Sequence, residues 1–191
     1  MSKGRMEAFS DGVIAVIITI MVLGLEAPPE ASLTALVPLL PVFLNYVLSF
    51  VILAIYWNNH HHLLQAVENV DGQVLWANMH LLFWLSLIPF ATSWAGENPS
   101  APLPVAIYGC ILLLAAVAYF ILVQALMKRH GQDSFLATAV GSDFKGKISI
   151  LIYLLAIPLA FLNPIISFAL FVLVAVMWLV PDRRIEEKLV G

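Results

Sequence analysis

Polar and apolar residues fall into long blocks along this chain, not into the alternation of a sheet. Apolar runs cover Val13 to Leu25, Leu33 to Leu64, Gln73 to Trp94, Leu103 to Met127 and Ile148 to Val180. A run of ~20 apolar residues is long enough for a helix to cross a bilayer. The first helix is read from Lys3, with polar first turns, and Pro28-Pro29 closes it. Glu7 and Asp11 ahead of the apolar stretch, and the lack of a small-residue cleavage site after Leu25, argue against a signal peptide. In the second run no Asp, Glu, Lys or Arg occurs between Glu30 and Glu68; Pro38 and Pro41 mark a ragged start. The third lies between Asp71-Gly72 and Gly96-Glu97-Asn98-Pro99, and Pro89 inside it predicts a kink. The fourth stops at Lys128-Arg129-His130-Gly131. The last is too long for one crossing, and Asn163-Pro164 divides it. The pattern predicts one all-α integral membrane domain with six spans, at about 3–25, 33–64, 73–94, 103–127, 148–162 and 164–180.

Composition supports the membrane reading. The chain of 191 residues is 62% hydrophobic and 11% charged, against ~45–50% and ~25% in ordinary soluble domains. A single cysteine, Cys110, rules out a disulfide scaffold. A net charge of -3 rules out a nucleic-acid binder.

Charge also selects the topology. The nine basic residues are Lys3, Arg5, Lys128, Arg129, Lys145, Lys147, Arg183, Arg184 and Lys188. With six spans all nine fall on one side, while the other side carries only Glu26, Glu30 and Glu97. The positive-inside rule then puts both termini in the cytoplasm. Five spans would strand the last three basic residues outside.

The first helix differs from the rest. It carries Arg5, Glu7, Ser10 and Asp11 at its cytoplasmic end, and ionisable groups in a span need water or a partner. Arg5, Phe9, Gly12, Val16, Thr19, Leu23 and Glu26 follow a four-three spacing and form one stripe, with Ile20 on its flank. A helix lining a narrow pore shows such a stripe, and so does a helix packing seam. Ser10 and Asp11 leave the stripe on either side and should face neighbouring helices. At similar depth lie Trp57, Asn58, His61 and Asn78. A buried carboxylate needs donors, so Ser10 and Asp11 are expected to hydrogen-bond with some of these four.

The run Arg5-Met6-Glu7-Ala8-Phe9-Ser10-Asp11-Gly12 has the form R-x-x-x-F-S-D at the mouth of the first of six short spans. It resembles the bacterial branch of the transmembrane protein 175 family of potassium channels. The end of the second span (Trp57, His60, His61) and the basic fourth loop are similar as well. The resemblance covers essentially the whole chain and implies a potassium-preferring cation channel in the inner (plasma) membrane. It implies a homotetramer whose first helices line the pore, without a re-entrant pore loop; the sequence has no T-V-G-Y-G-type filter. The family's narrow apolar ring maps onto Val16, its neighbouring rings onto Ile20 and Leu23, and the hydroxyl layer linked to potassium preference onto Thr19. Val16 is smaller than the isoleucine or leucine often found in that ring. The family's motif, here Arg5, Phe9, Ser10 and Asp11, is read as structural.

Other chemistry finds little footing. Adjacent His60, His61 and His62 point in different directions on a helix, and no Cys or carboxylate completes a ligand set. No metal beyond permeating potassium and no cofactor is expected. No nucleophile elbow, zinc-protease motif or phosphate loop occurs, so an enzyme is not expected. The alternative is a small proton- or cation-coupled secondary transporter using Asp11. It would be expected to show an internal repeat, and no three-span repeat is present. A scaffold without transport is the remaining option.

Overall fold

The computed structural model describes residues 2–131 and 143–179. The C-terminal basic residues Arg183, Arg184 and Lys188 lie outside them. Among the described residues seven α-helices and one 3-10 helix make six helical units. They are α1 (Lys3–Val22), a 3-10 turn (Thr34–Leu39) running into α2 (Leu40–Gln65), α3 (Gly72–Ser86) followed by α4 (Ile88–Glu97), α5 (Pro102–His130), α6 (Phe144–Ala160) and α7 (Pro164–Leu179). By length and composition, the units Thr34–Gln65, Gly72–Glu97 and Pro102–His130 can each cross a membrane, and α7 is a shorter apolar helix.

Local chemistry explains the boundaries. The first helix stops at Val22, short of the expected Leu25, because the amides of Leu23, Gly24 and Leu25 turn back to carbonyls only three residues behind. Asp71 starts α3 by accepting from the amide of Val74 at 3.0 Å. Pro38 sits inside the 3-10 turn, and Pro41 occupies the first turn of α2, where its missing N–H costs nothing. Pro89 breaks the third unit instead of merely bending it. It has no N–H to offer the Leu85 carbonyl, and Leu87 alone separates the end of α3 at Ser86 from the start of α4 at Ile88. Asn163 caps α7 by accepting from the Ile165 amide at 3.0 Å, and Pro164 is the first residue of that helix.

α5 runs through the middle of the bundle. It packs against α3 and α4 on one side and against the α6–α7 hairpin on the other. The approach is close because the contact residues are small. A methyl group on Gly109 would lie 3.1 Å from the Phe171 ring and 3.2 Å from Ile157, and Ala115 and Ala118 are fully buried. Two hydrogen bonds fasten the hairpin: Ser167 donates to the Ala156 carbonyl at 2.7 Å and Trp178 to Ser149 at 2.9 Å. α1 lies outside this core and rests on α2, α3 and α4. The outward faces of most helices carry large apolar side chains, among them Trp76, Phe83, Leu154 and Val172, as a chain solvated by lipid requires.

Candidate functional site

α1 has two sharply different faces. Met6, Ser10, Ile14, Ile17 and Met21 are buried against the subunit's own helices. Arg5, Phe9, Gly12, Val16, Thr19, Ile20 and Leu23 all lie on the exposed side. Val16 is 55% exposed and Leu23 78%, against 2% for Ile14. The stripe read from the four-three spacing therefore lies on the side of α1 turned away from the subunit's core. Thr19 donates its hydroxyl proton to the Val16 carbonyl at 2.8 Å, one turn back. That bond spends the donor and leaves the oxygen as an acceptor on the exposed face.

The N-terminal end of α1 is held by polar contacts in two layers. The buried layer starts at Ser10, which donates to the Met6 carbonyl at 2.8 Å and accepts from the Asn78 amide nitrogen at 2.9 Å. The Asn78 carbonyl oxygen lies 2.7 Å from Nε2 of His60. Since that oxygen can only accept, His60 is protonated on Nε2 and donates. Ser10, Asn78 and His60 are all at most 1% exposed, so each lost bond would leave a polar group stranded.

The outer layer is a two-rung ladder between antiparallel helices. Glu7 and Asp11 stand one turn apart on α1, and His61 and Trp57 one turn apart on α2. Trp57 Nε1 donates to Asp11 at 3.0 Å. His61 Nδ1 lies 3.2 Å from Glu7. Gln65 donates to Nε2 of His61 at 2.8 Å, which leaves the Nδ1 proton for Glu7. The Trp57 and His61 rings stack with their centroids 6.0 Å apart.

The residues named from the sequence thus divide. Ser10 meets Asn78, and Asp11 meets Trp57. His61 takes Glu7 instead of Asp11 or Ser10, because the antiparallel register sets it one turn too low. Asn58 joins nothing: it is exposed and has no side-chain hydrogen bond among the described residues. One residue along from Trp57 it is turned ~100° around α2, away from the line that meets α1. Arg5 and Phe9 also make no polar side-chain contact among the described residues. His60 is the residue that sequence reasoning left out of the network. Its signal was the spacing to Trp57, which puts it on the buried flank of the same turn. No group of three or more metal-binding side chains occurs among the described residues.

A family model described as the endosomal/lysosomal potassium channel TMEM175 matches residues 5–89. The chain is 53% identical to a potassium channel of Chryseobacterium sp. (strain P1-3) over 189 residues, 99% of this chain and 98% of that one. It is 24% identical over 170 residues to the endosomal/lysosomal proton channel TMEM175 of Gallus gallus, covering 86% of this chain and 34% of that longer protein. Its fold resembles the crystal structure of a lysosomal potassium-selective channel TMEM175 homologue from Chamaesiphon minutus. The TM-score is 0.81 at 27% identity, over 94% of this chain and 97% of that one.

Proposed function

The chain belongs to the TMEM175 family of potassium channels, and on that premise we propose that it passes potassium between four copies of its own first helix. Each of the six helical units crosses the membrane, both termini are cytoplasmic, and the α1 helices of a homotetramer converge on a central axis. The observation that carries this reading is the exposed stripe of α1. A helix tied to its own subunit along one side, by Ser10, Asp11 and the apolar face behind them, presents Val16, Thr19, Ile20 and Leu23 to whatever lies beyond. The same face borders an open groove of about 750 Å³, which Phe9, Val16 and Ile20 line together with Ser86, Pro89 and Phe90, and the groove offers a seat for a neighbouring subunit.

The mechanism follows from the side chains. A ring of Val16 methyls offers no ligand to an ion, so passage needs water, and the constriction closes by drying. Ile20 and Leu23 repeat the ring one and two turns further out. Between the Val16 and Ile20 rings Thr19 presents an oxygen acceptor, its own proton already committed to the helix. Potassium gives up part of its hydration shell more readily than sodium, so a layer of such oxygens favours it moderately. Glu26, exposed beyond the outer end of the stripe, raises the local concentration of cations. The transporter alternative would need Asp11 to load and release its charge in turn. Its bond to Trp57 suits a fixed structural carboxylate better.

The test is Val16→Asn in proteoliposomes. A polar ring lowers the cost of wetting, and potassium flux should rise about tenfold, equivalent to ~1.4 kcal/mol off the barrier. Unchanged flux in an assembled tetramer removes Val16 from the constriction. Discrete openings in planar bilayers would exclude a transporter or a silent scaffold.

A further inference from the structure

A second buried polar cluster lies far from the F-S-D motif, toward the outer end of the bundle. Its centre is Thr92 on α4, 4% exposed. The Thr92 hydroxyl lies 2.6 Å from that of Ser49 on α2, and Ser49 lies 2.6 Å from the hydroxyl of Tyr108 on α5. Thr92 also reaches the Ile88 carbonyl at 2.7 Å. Asn45 of α2 donates to the Thr92 backbone carbonyl at 2.7 Å.

The proton count fixes the direction of this chain. If Thr92 donated to Ser49 and Ser49 to Tyr108, the tyrosine proton would have no acceptor among the described residues. In the opposite sense Tyr108 donates to Ser49, Ser49 to Thr92, and Thr92 to the Ile88 carbonyl, so each hydroxyl donates once. The cluster therefore clamps α2, α4 and α5 together at one point. A buried chain in which every hydroxyl both finds an acceptor and ties one helix to the next holds those helices in one arrangement.

α4 in turn supports α1. The Thr92 hydroxyl oxygen lies 3.8 Å from the sulfur of Met21, on the buried face of α1. A methyl group on Gly24 would stand 2.7 Å from the Ser93 hydroxyl, so the chain just beyond α1 sits directly on α4. The inner end of α1 is gripped by α3 through Asn78, and its outer end by α4 through Thr92 and Ser93. The break at Leu87 separates the two grips, so the position of the outer half of α1 is set by α4 and not relayed along one continuous rod.

We propose that Thr92, clamped by Ser49 and Tyr108, is a positioning residue that sets where the Thr19–Leu23 segment of α1 stands relative to the ion pathway. It acts through Met21 and Gly24 and touches no ion. The inference rests on the reading of α1 as the pore-lining helix, and the experiment separates the two.

The substitution is Thr92→Val, which keeps the shape and removes the hydroxyl, in the full-length channel. Three quantities are read: thermal stability of the assembly, the potassium-to-sodium permeability ratio from reversal potentials, and the mobility of a spin label at Val22→Cys in a Cys110→Ser background. The permeability ratio should shift about threefold, a size reached by changes in coupled packing contacts. The label should become more mobile, and Thr92→Ser should restore both. Loss of thermal stability with ratio and label mobility unchanged would overturn the proposal, reducing the cluster to a fold contact. A mobile label with an unchanged ratio would keep Thr92 as the support of α1 and instead overturn the pore reading. Should Thr92→Val fail to assemble, Ser49→Ala gives the same readings. It cuts the link to Tyr108 but leaves Thr92 bonded to Ile88, and unchanged ratio and mobility there overturn the proposal too.

Discussion

The two ends of α1 are held by different chemistry. At the N-terminal end carboxylates, indole and imidazole meet across α1 and α2, with a Ser–Asn–His chain beneath them. At the outer end α1 offers only Met21 and a glycine, and the polar work is done by hydroxyls on three other helices. The inner grip is direct and the outer grip is relayed. A direct polar grip suits an end that has to stay in place against water and headgroups. A relayed apolar grip suits an end whose fine position can be tuned by neighbouring helices.

Three substitutions at the inner end sharpen the contrast. Asn78→Ala should have the largest effect on stability, because it strands the Ser10 acceptor and the buried His60 donor together. About 2–4 kcal/mol should be lost, seen as a clear drop in melting temperature in detergent. An unchanged melting temperature would mean that the inner end is not held by the buried layer. Trp57→Phe removes the donor to Asp11 at a partly exposed position, and about 1 kcal/mol is expected. If it matched Asn78→Ala, the outer rungs would be as important as the buried chain. Glu7→Gln should cost least, below ~0.5 kcal/mol, since its His61 partner is partly exposed and the amide oxygen can still accept from Nδ1. A larger loss would show that the ladder closes on another subunit. None of the three should shift the permeability ratio as Thr92→Val does; if one did, the division between a holding end and a tuning end would fall.

Much of this was readable along the chain because it is local. Pro89, Asn163-Pro164 and Asp71 act within one turn of themselves, and the breaks and the cap lie there. That the stripe on α1 shares one face follows from helical period alone; that this face is exposed does not. Asp11 advertised itself as a carboxylate in need of a donor, and Trp57 at matching depth was a candidate. What could not be read was helical phase between segments. Asn58 and His60 both follow Trp57 within one turn, yet a rotation of ~100° per residue sends one outward and the other into the core.

The sequence by itself determined an all-helical membrane chain, the places where its helices break, and a first helix with one stripe suited to a pore or to a packing seam, since period, proline and charge act at short range. Only the tertiary structure decided that Ser49, Thr92 and Tyr108 meet. They are 43 and 16 residues apart, each an ordinary residue inside an apolar run. Nothing within a turn of any of them requires a partner, and only the packing of α2, α4 and α5 brings their hydroxyls within 2.6 Å.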